Sequence, residues 1–116
     1  MSRTFALAAG LALTLATTAA AHHGWGSYDA RNAVTVTGKV LTSKYENPHV
    51  TITVQAPDKT WTVTLAPTAR MLNRGALAEM VAVGREVTAV GYPSTVTPDE
   101  MRAERITSDG KTIEMR

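Results

Sequence analysis

Apolar and polar residues alternate along much of the chain from residue 34 onward. Residues 34–40, 50–54 and 61–65 place an apolar side chain at nearly every second position, with threonine at most positions between them. A period of two is typical of β-strands that have one face in a core and the other toward water. Gly38 interrupts the first of these strands, and a glycine inside a strand predicts a bulge or a sharp bend.

The alternation stops after residue 65. Pro67 is a residue that commonly begins a helix, and Gly75 is one that commonly ends it in the left-handed conformation. The residues between them include good helix formers, so the sequence predicts a short helix over 67–75. Residues 76–81 are compatible with a second turn.

The alternation returns in the last third of the chain. Residues 86–92 and 101–107 have the pattern of strands. The pair Asp109-Gly110 that follows favours a two-residue hairpin turn. That turn sets Ile106 opposite Ile113 as a cross-strand pair of branched side chains.

The order of these elements is three strands, one helix and then two or three strands. This order predicts an all-β (mainly β) fold, a small OB-like Greek-key barrel with one short helix between its third and fourth strands. A six-stranded sandwich with one helix is the alternative. Closure into a barrel would remove the exposed sheet edges through which strands aggregate.

The first 21 residues have the composition of a secretory signal peptide. A positive amino end containing Arg3 precedes the apolar residues 5–15, and small residues then extend to Ala21. The apolar stretch is shorter than the roughly 20 residues that a membrane-spanning helix needs. We therefore expect residues 1–21 to be a signal peptide cleaved near Ala20 or Ala21, and residues 22–116 to be one domain in the periplasm or outside the cell.

Composition narrows the classes of partner. The chain contains no cysteine, which excludes disulfides and a lipid-modified terminal cysteine. It has 12 Lys and Arg against 10 Asp and Glu, a small excess that gives no support to nucleic acid or an anionic membrane as a partner. The composition leaves the oligomeric state open.

Five parts of the chain carry a recognisable pattern, and they are AHHGWGSYD, ENPHVTITV, TWTVTLAP, RMLNRG and GREVTAVGYP with EMRAERIT. Together these segments resemble a family of small exported bacterial proteins of unknown function. Its most recognisable parts are the paired histidines after the leader and the Asn-Pro-His triplet. The resemblance covers nearly all of the mature chain and implies an exported, strand-rich single domain, and it brings no established activity.

The chain has three histidines, His22, His23 and His49, and they suggest a metal site. Cleavage after Ala21 would make His22 the terminal residue, whose amine and imidazole chelate one metal ion, with His49 or His23 as a third nitrogen ligand. Cleavage one residue earlier would place His23 third, where the amine, two backbone amides and an imidazole bind copper(II) or nickel(II) in a square plane. Both arrangements favour copper, which nitrogen ligands bind more tightly than other divalent metals.

The segment Glu46-Asn47-Pro48-His49 joins the first two predicted strands. Proline restricts Asn47 to extended dihedrals, so the loop can hold the His49 imidazole in a fixed direction. Glu46 or Asn47 would then be an outer partner that orients the ring, and Trp25 is expected to pin the amino-terminal segment onto the barrel. The alternative is a simple tight turn. The methionines lack a clustered repeat and are expected to fill the core.

These observations predict a periplasmic metal-binding protein that uses His22, His23 and His49, with copper as the favoured metal. Such a protein would act as a copper carrier, buffer or accessory, and its partner would be a copper-handling or other periplasmic protein. The alternative is a non-metal interaction module that binds a protein or a small ligand through the barrel face or its loops. Enzyme activity is less favoured, since no activated nucleophile is recognisable and a small domain offers little room for a substrate groove.

Overall fold

Valine and threonine alternate in the observed strands as the sequence predicts. The computed structural model describes residues 24–116, and a closed five-stranded barrel with one short helix is its main feature. The strands are β1 (Val34–Lys44), β2 (Thr51–Gln55), β3 (Thr60–Thr64), β4 (Glu86–Pro93), β5 (Glu100–Ser108) and β6 (Lys111–Glu114), and the helix is α1 (Thr68–Asn73). Single 3₁₀ turns cover Trp25–Ser27 and Ala78–Val81.

The barrel closes because β1 and β5 each pair with more than one strand. β1 pairs antiparallel with β4 through its first half and with β2 through its second half, and β2 continues to β3. β3 then pairs in parallel with β5, which returns to β4 and completes the circuit. The predicted OB-like Greek-key barrel, with its helix between the third and fourth strands, is confirmed. β6 extends the sheet beyond β5.

Gly38 lies where β1 changes partners. A Cβ atom at this position would overlap the backbone carbonyl of Gln55, so the two strands can approach this closely only with glycine here. The register of β1 against β2 also shifts between Val40 and Thr42. The predicted irregularity in this strand is therefore present.

The structure also contains the predicted hairpin turn and the predicted end of the helix. Asp109 and Gly110 both have positive φ, at 56° and 77°, as a primed two-residue hairpin requires, and Ile106 pairs with Ile113. Gly75 ends α1 with a φ of 84°. Residues 76–81 do not continue α1 and instead contain the separate 3₁₀ turn.

The core is filled from the inward face of every barrel strand and from α1. Its largest fully buried side chains are Ile52, Leu65, Met71, Met101, Ile106, Val36, Val40, Val50, Val54, Val63, Val81 and Val87. Met80 and Met115 are buried as well, so the expected core role of the methionines is confirmed. Trp61 is half-buried and packs against this cluster from its edge.

Candidate functional site

A polar cleft of about 460 Å³ lies at one rim of the barrel. Three segments meet there: the residues before β1, the loop between β1 and β2, and the start of β5. The lining residues are Gly24, Ser27, Tyr28, Pro48, His49, Thr51, Thr64, Glu100 and Arg102. The parallel pairing of β3 with β5 brings the end of β3 to the cleft as well, because it sets Thr64 beside Arg102.

The segment before β1 is attached to the barrel by backbone hydrogen bonds. Tyr28 forms an isolated antiparallel bridge with Ser94, and the Thr95 amide donates to the Ser27 carbonyl at 2.8 Å. The expectation that this segment is pinned to the barrel is confirmed. The loop after β4 thereby anchors Ser27 and Tyr28, which line the cleft.

The Trp25 ring is the centre of this attachment. The guanidinium groups of Arg102 and Arg116 lie 4.2 and 4.4 Å from its centroid. Tyr28 and Tyr92 contact it edge-on, with ring centroids 6.2 and 6.1 Å away. These are favourable cation–π and aromatic geometries, so Trp25 and Arg102 hold each other in place.

Glu100 organises the floor of the cleft. Its Oε2 atom accepts hydrogen bonds from the hydroxyl groups of Tyr28 and Thr64, each at 2.7 Å. Burial, followed by the hydrogen bond to Glu100, raises the pKa of Tyr28 to about 12. Tyr28 therefore remains a neutral donor over the physiological range, and two donors already occupy that carboxylate oxygen.

His49 is half-buried on the wall of the cleft. Arg102 Nη2 lies 3.4 Å from its Nε2 atom, and the same guanidinium donates through Nη1 to the Gly24 carbonyl at 3.3 Å. Because a guanidinium only donates, the imidazole presents an unprotonated Nε2 to it. Burial lowers the pKa of His49, and the positive charges of Arg102 and Arg70 lower it further, which favours the neutral ring.

The structure separates the three residues that the sequence suggested around the His49 site. Trp25 reaches His49 indirectly, through Arg102. Asn47 instead accepts two hydrogen bonds at 3.1 Å from the backbone and side chain of Thr68, at the start of α1, and Glu46 is exposed. In the part of the chain that the structure describes, Arg102 is the side chain that hydrogen-bonds the His49 ring.

Arg102 is the site residue that sequence reasoning missed. The alternation of Met101, Arg102 and Ala103 places it on the outer face of β5, where an arginine normally faces water. A surface pair with a nearby acid is the natural expectation for such a residue. The structure instead turns its side chain toward Trp25 and His49, and the alternation carries no signal for that contact.

His22 and His23 lie outside the described residues. Within residues 24–116, no group of three or more histidine, aspartate and glutamate side chains is placed to hold a metal ion. Over the same residues, no helix is both long and apolar enough to cross a membrane.

Comparison with known proteins identifies a family and a fold. The profile described as "Family of unknown function (DUF6152)" matches residues 11–99, so the chain belongs to this family. No curated protein matches the chain.

Among solved structures, the ZRD-deleted mutant of TiaS in complex with agmatine is similar at a TM-score of 0.52 and 16% identity, over 75% of this chain and 27% of that one. A complex of TiaS with transfer RNA, AMPCPP and agmatine gives a TM-score of 0.51 at 16% identity, and the match covers 70% of this chain and 19% of the TiaS chain. This chain thus corresponds to about a quarter or less of those chains. Identities this low show a shared fold alone.

Proposed function

We propose that this DUF6152 protein is an exported copper-binding protein that works in the periplasm as a carrier, a buffer or an accessory to a larger copper system. The metal would be held by His49 together with the amino-terminal histidines His22 and His23. Signal-peptide cleavage near Ala20 or Ala21 would create the terminal part of this site.

The observation that carries the proposal is the position of Gly24. Its carbonyl group and the His49 Nε2 atom both lie against the guanidinium of Arg102, at 3.3 and 3.4 Å. His23 is the residue before Gly24, and consecutive Cα atoms are about 3.8 Å apart. Both amino-terminal histidines are therefore within two residues of a point beside His49, which is short enough for one metal ion to join them.

The chemistry of His49 also fits this role. A histidine must be neutral to bind a metal, and burial together with two nearby guanidinium groups favours the neutral ring. Its Nε2 atom lies 3.4 Å from Arg102 Nη2, and a metal ion at this nitrogen would take the place of that hydrogen bond. An all-nitrogen ligand set of imidazoles and a terminal amine prefers copper among the first-row divalent metals.

A second candidate is a non-metal interaction module, and the cleft itself favours it. A polar opening of about 460 Å³ with a fixed guanidinium is large enough for a small ligand. On this alternative His49 would hydrogen-bond the ligand, and the protein would have no use for His22 or His23. The two candidates therefore differ in whether the amino-terminal histidines matter.

The test is a copper competition titration of protein exported with its own leader, after intact mass has fixed the mature terminus. Three proteins are compared: the wild type, His49→Ala and Thr51→Ala. Thr51 lines the same cleft but offers no nitrogen ligand, so it controls for disturbance of the wall. We expect one copper per wild-type chain, an affinity loss of at least about 100-fold in His49→Ala, and less than about threefold in Thr51→Ala. Equal copper affinity in His49→Ala and the wild type would refute the proposal.

A further inference from the structure

The Arg102 guanidinium keeps unused hydrogen-bond donors at the cleft that it lines. It donates through Nη1 to the Gly24 carbonyl at 3.3 Å and through Nη2 to His49 Nε2 at 3.4 Å. A guanidinium has five N–H groups, so three remain once these two partners within residues 24–116 are served. The Trp25 ring lies 4.2 Å from the guanidinium carbon and fixes its plane. The cleft therefore presents a planar donor in a fixed orientation.

The charge of this donor has no direct counterion. In the described part of the chain, no Asp or Glu carboxylate lies within 4.0 Å of the guanidinium of Arg102 or of Arg70. Burial lowers the pKa of both Arg102 and His49, and the positive charge of Arg70 lowers both further. Arg70 is thus close enough to add a second positive charge to this place.

The acids around the cleft offset only part of this charge. Arg116 is paired with Glu104 at 3.2 Å, so these two groups balance each other. Glu100 lines the cleft, and its Oε2 atom accepts hydrogen bonds from the hydroxyl groups of Tyr28 and Thr64. One carboxylate thus opposes two unpaired guanidinium groups. A ligand with a single negative charge would balance the cleft, whereas a ligand with two would leave an excess of negative charge beside Glu100.

We propose that the cleft binds a small monocarboxylate, whose carboxylate group accepts hydrogen bonds from Arg102. A planar guanidinium matches a planar carboxylate through two parallel hydrogen bonds, which gives geometric selectivity in addition to charge. The cleft volume of about 460 Å³ admits an acid of a few carbon atoms. The Thr51 hydroxyl also lines the cleft and has only a long hydrogen bond, at 3.4 Å to the His49 carbonyl, so it can donate to the same ligand.

This site rests on the second candidate function, to which it gives a ligand class, and it needs no metal. All the groups that would hold the carboxylate belong to the barrel and to the segment packed on it. Copper binding and carboxylate binding are therefore tested separately, and either one can fail without the other.

The test is a nuclear magnetic resonance titration of the ¹⁵N-labelled protein, exported with its own leader, stripped of metal and desalted. The probes are sodium propionate, propionamide and sodium sulfate, each added at constant ionic strength. Propionamide has the size of propionate without its charge, and sulfate has two charges without the planar carboxylate. We expect propionate to bind with a dissociation constant on the order of 1 mM and to shift the amide signals of Tyr28, Thr51 and Arg102. Propionamide and sulfate should bind at least about tenfold more weakly.

Two variants locate the site. Arg102→Gln removes the charge and the planar donor, and it should weaken propionate binding by at least about tenfold. Arg105→Gln is the matched control and should change the affinity by less than about threefold, because Arg105 lies on the same strand but pairs with Glu114 at 3.0 Å on the surface. The comparison of propionate with propionamide in the wild type needs no variant, so it remains decisive if Arg102→Gln loosens the fold.

Equal affinity for propionate and propionamide would overturn the carboxylate site, and so would an unchanged propionate affinity in Arg102→Gln. Sulfate that binds as tightly as propionate would also overturn it, because that result describes an unselective cationic patch. These results would leave the copper proposal standing, since no metal is present in the titration. Selective propionate binding in a protein whose copper affinity is unaffected by His49→Ala would support the carboxylate site and refute the copper proposal.

Discussion

Replacement of Trp25 by alanine should destabilise the whole domain, although Trp25 lies in a short segment before the first strand. The mutation removes two cation–π contacts, to Arg102 and Arg116, and two edge-on aromatic contacts, to Tyr28 and Tyr92. Each contact contributes about 0.5 to 1 kcal/mol. The charged groups regain water when the ring is lost, so we expect a net loss of about 2 to 3 kcal/mol in the free energy of unfolding.

Urea unfolding followed by circular dichroism measures this loss without relying on the tryptophan that is removed. With a slope of about 1 kcal/mol per molar urea for a domain of this size, the midpoint should fall by about 2 to 3 M while the slope stays constant. Val96→Ala is the control, since Val96 is 74% exposed in the neighbouring loop. It should change the stability by less than about 0.5 kcal/mol. A loss below about 0.5 kcal/mol in Trp25→Ala would show that the segment is not pinned by this ring.

Two further predictions concern backbone packing and proton binding. Gly91→Ala should lower the melting temperature by about 10 °C, because a Cβ atom there would overlap the backbone of β5. Gly24→Ala is the control and should change the melting temperature by less than about 2 °C, because a Cβ atom there would have nothing within 4 Å. Equal melting temperatures in the two variants would contradict the close approach of β4 and β5. In an ultraviolet titration, the tyrosines should ionise above pH 10, since the pKa values of Tyr28, Tyr45 and Tyr92 are all raised, and Tyr28→Phe should remove the component near pH 12. Because the folded state favours the neutral Tyr28 phenol, the contribution of this residue to stability is complete below pH 10 and is lost as the pH rises toward 12. A tyrosine titration centred at pH 10 would contradict the buried hydrogen bond to Glu100.

The parts of the fold that local sequence determines could be predicted. Period-two alternation identifies the strands because each has one buried face, and Asp109-Gly110 sets the last hairpin because both residues tolerate positive φ. Gly75 likewise ends α1 for a local reason. The barrel followed from the order of these elements.

The contacts of the cleft could not be predicted in the same way. Alternation tells which face of β5 carries Arg102, but the partner of that side chain depends on where Gly24 and the β1–β2 loop lie in space. The role predicted for Asn47 as a partner of His49 is wrong for the same reason. The Asn47 side chain instead accepts hydrogen bonds from Thr68 at the start of α1, a residue 21 positions away in the sequence. Long-range neighbours of this kind leave no periodic signal.

The central claim is that His49 and the amino-terminal histidines bind one copper ion. X-ray absorption at the copper edge tests it most directly, because it counts imidazole ligands in either oxidation state. For protein exported with its own leader and loaded with one equivalent of copper, we expect at least two imidazoles per metal in the wild type and one fewer in His49→Ala. The same imidazole count in both proteins would contradict the claim and reduce the paired histidines to a chelate that is independent of the barrel.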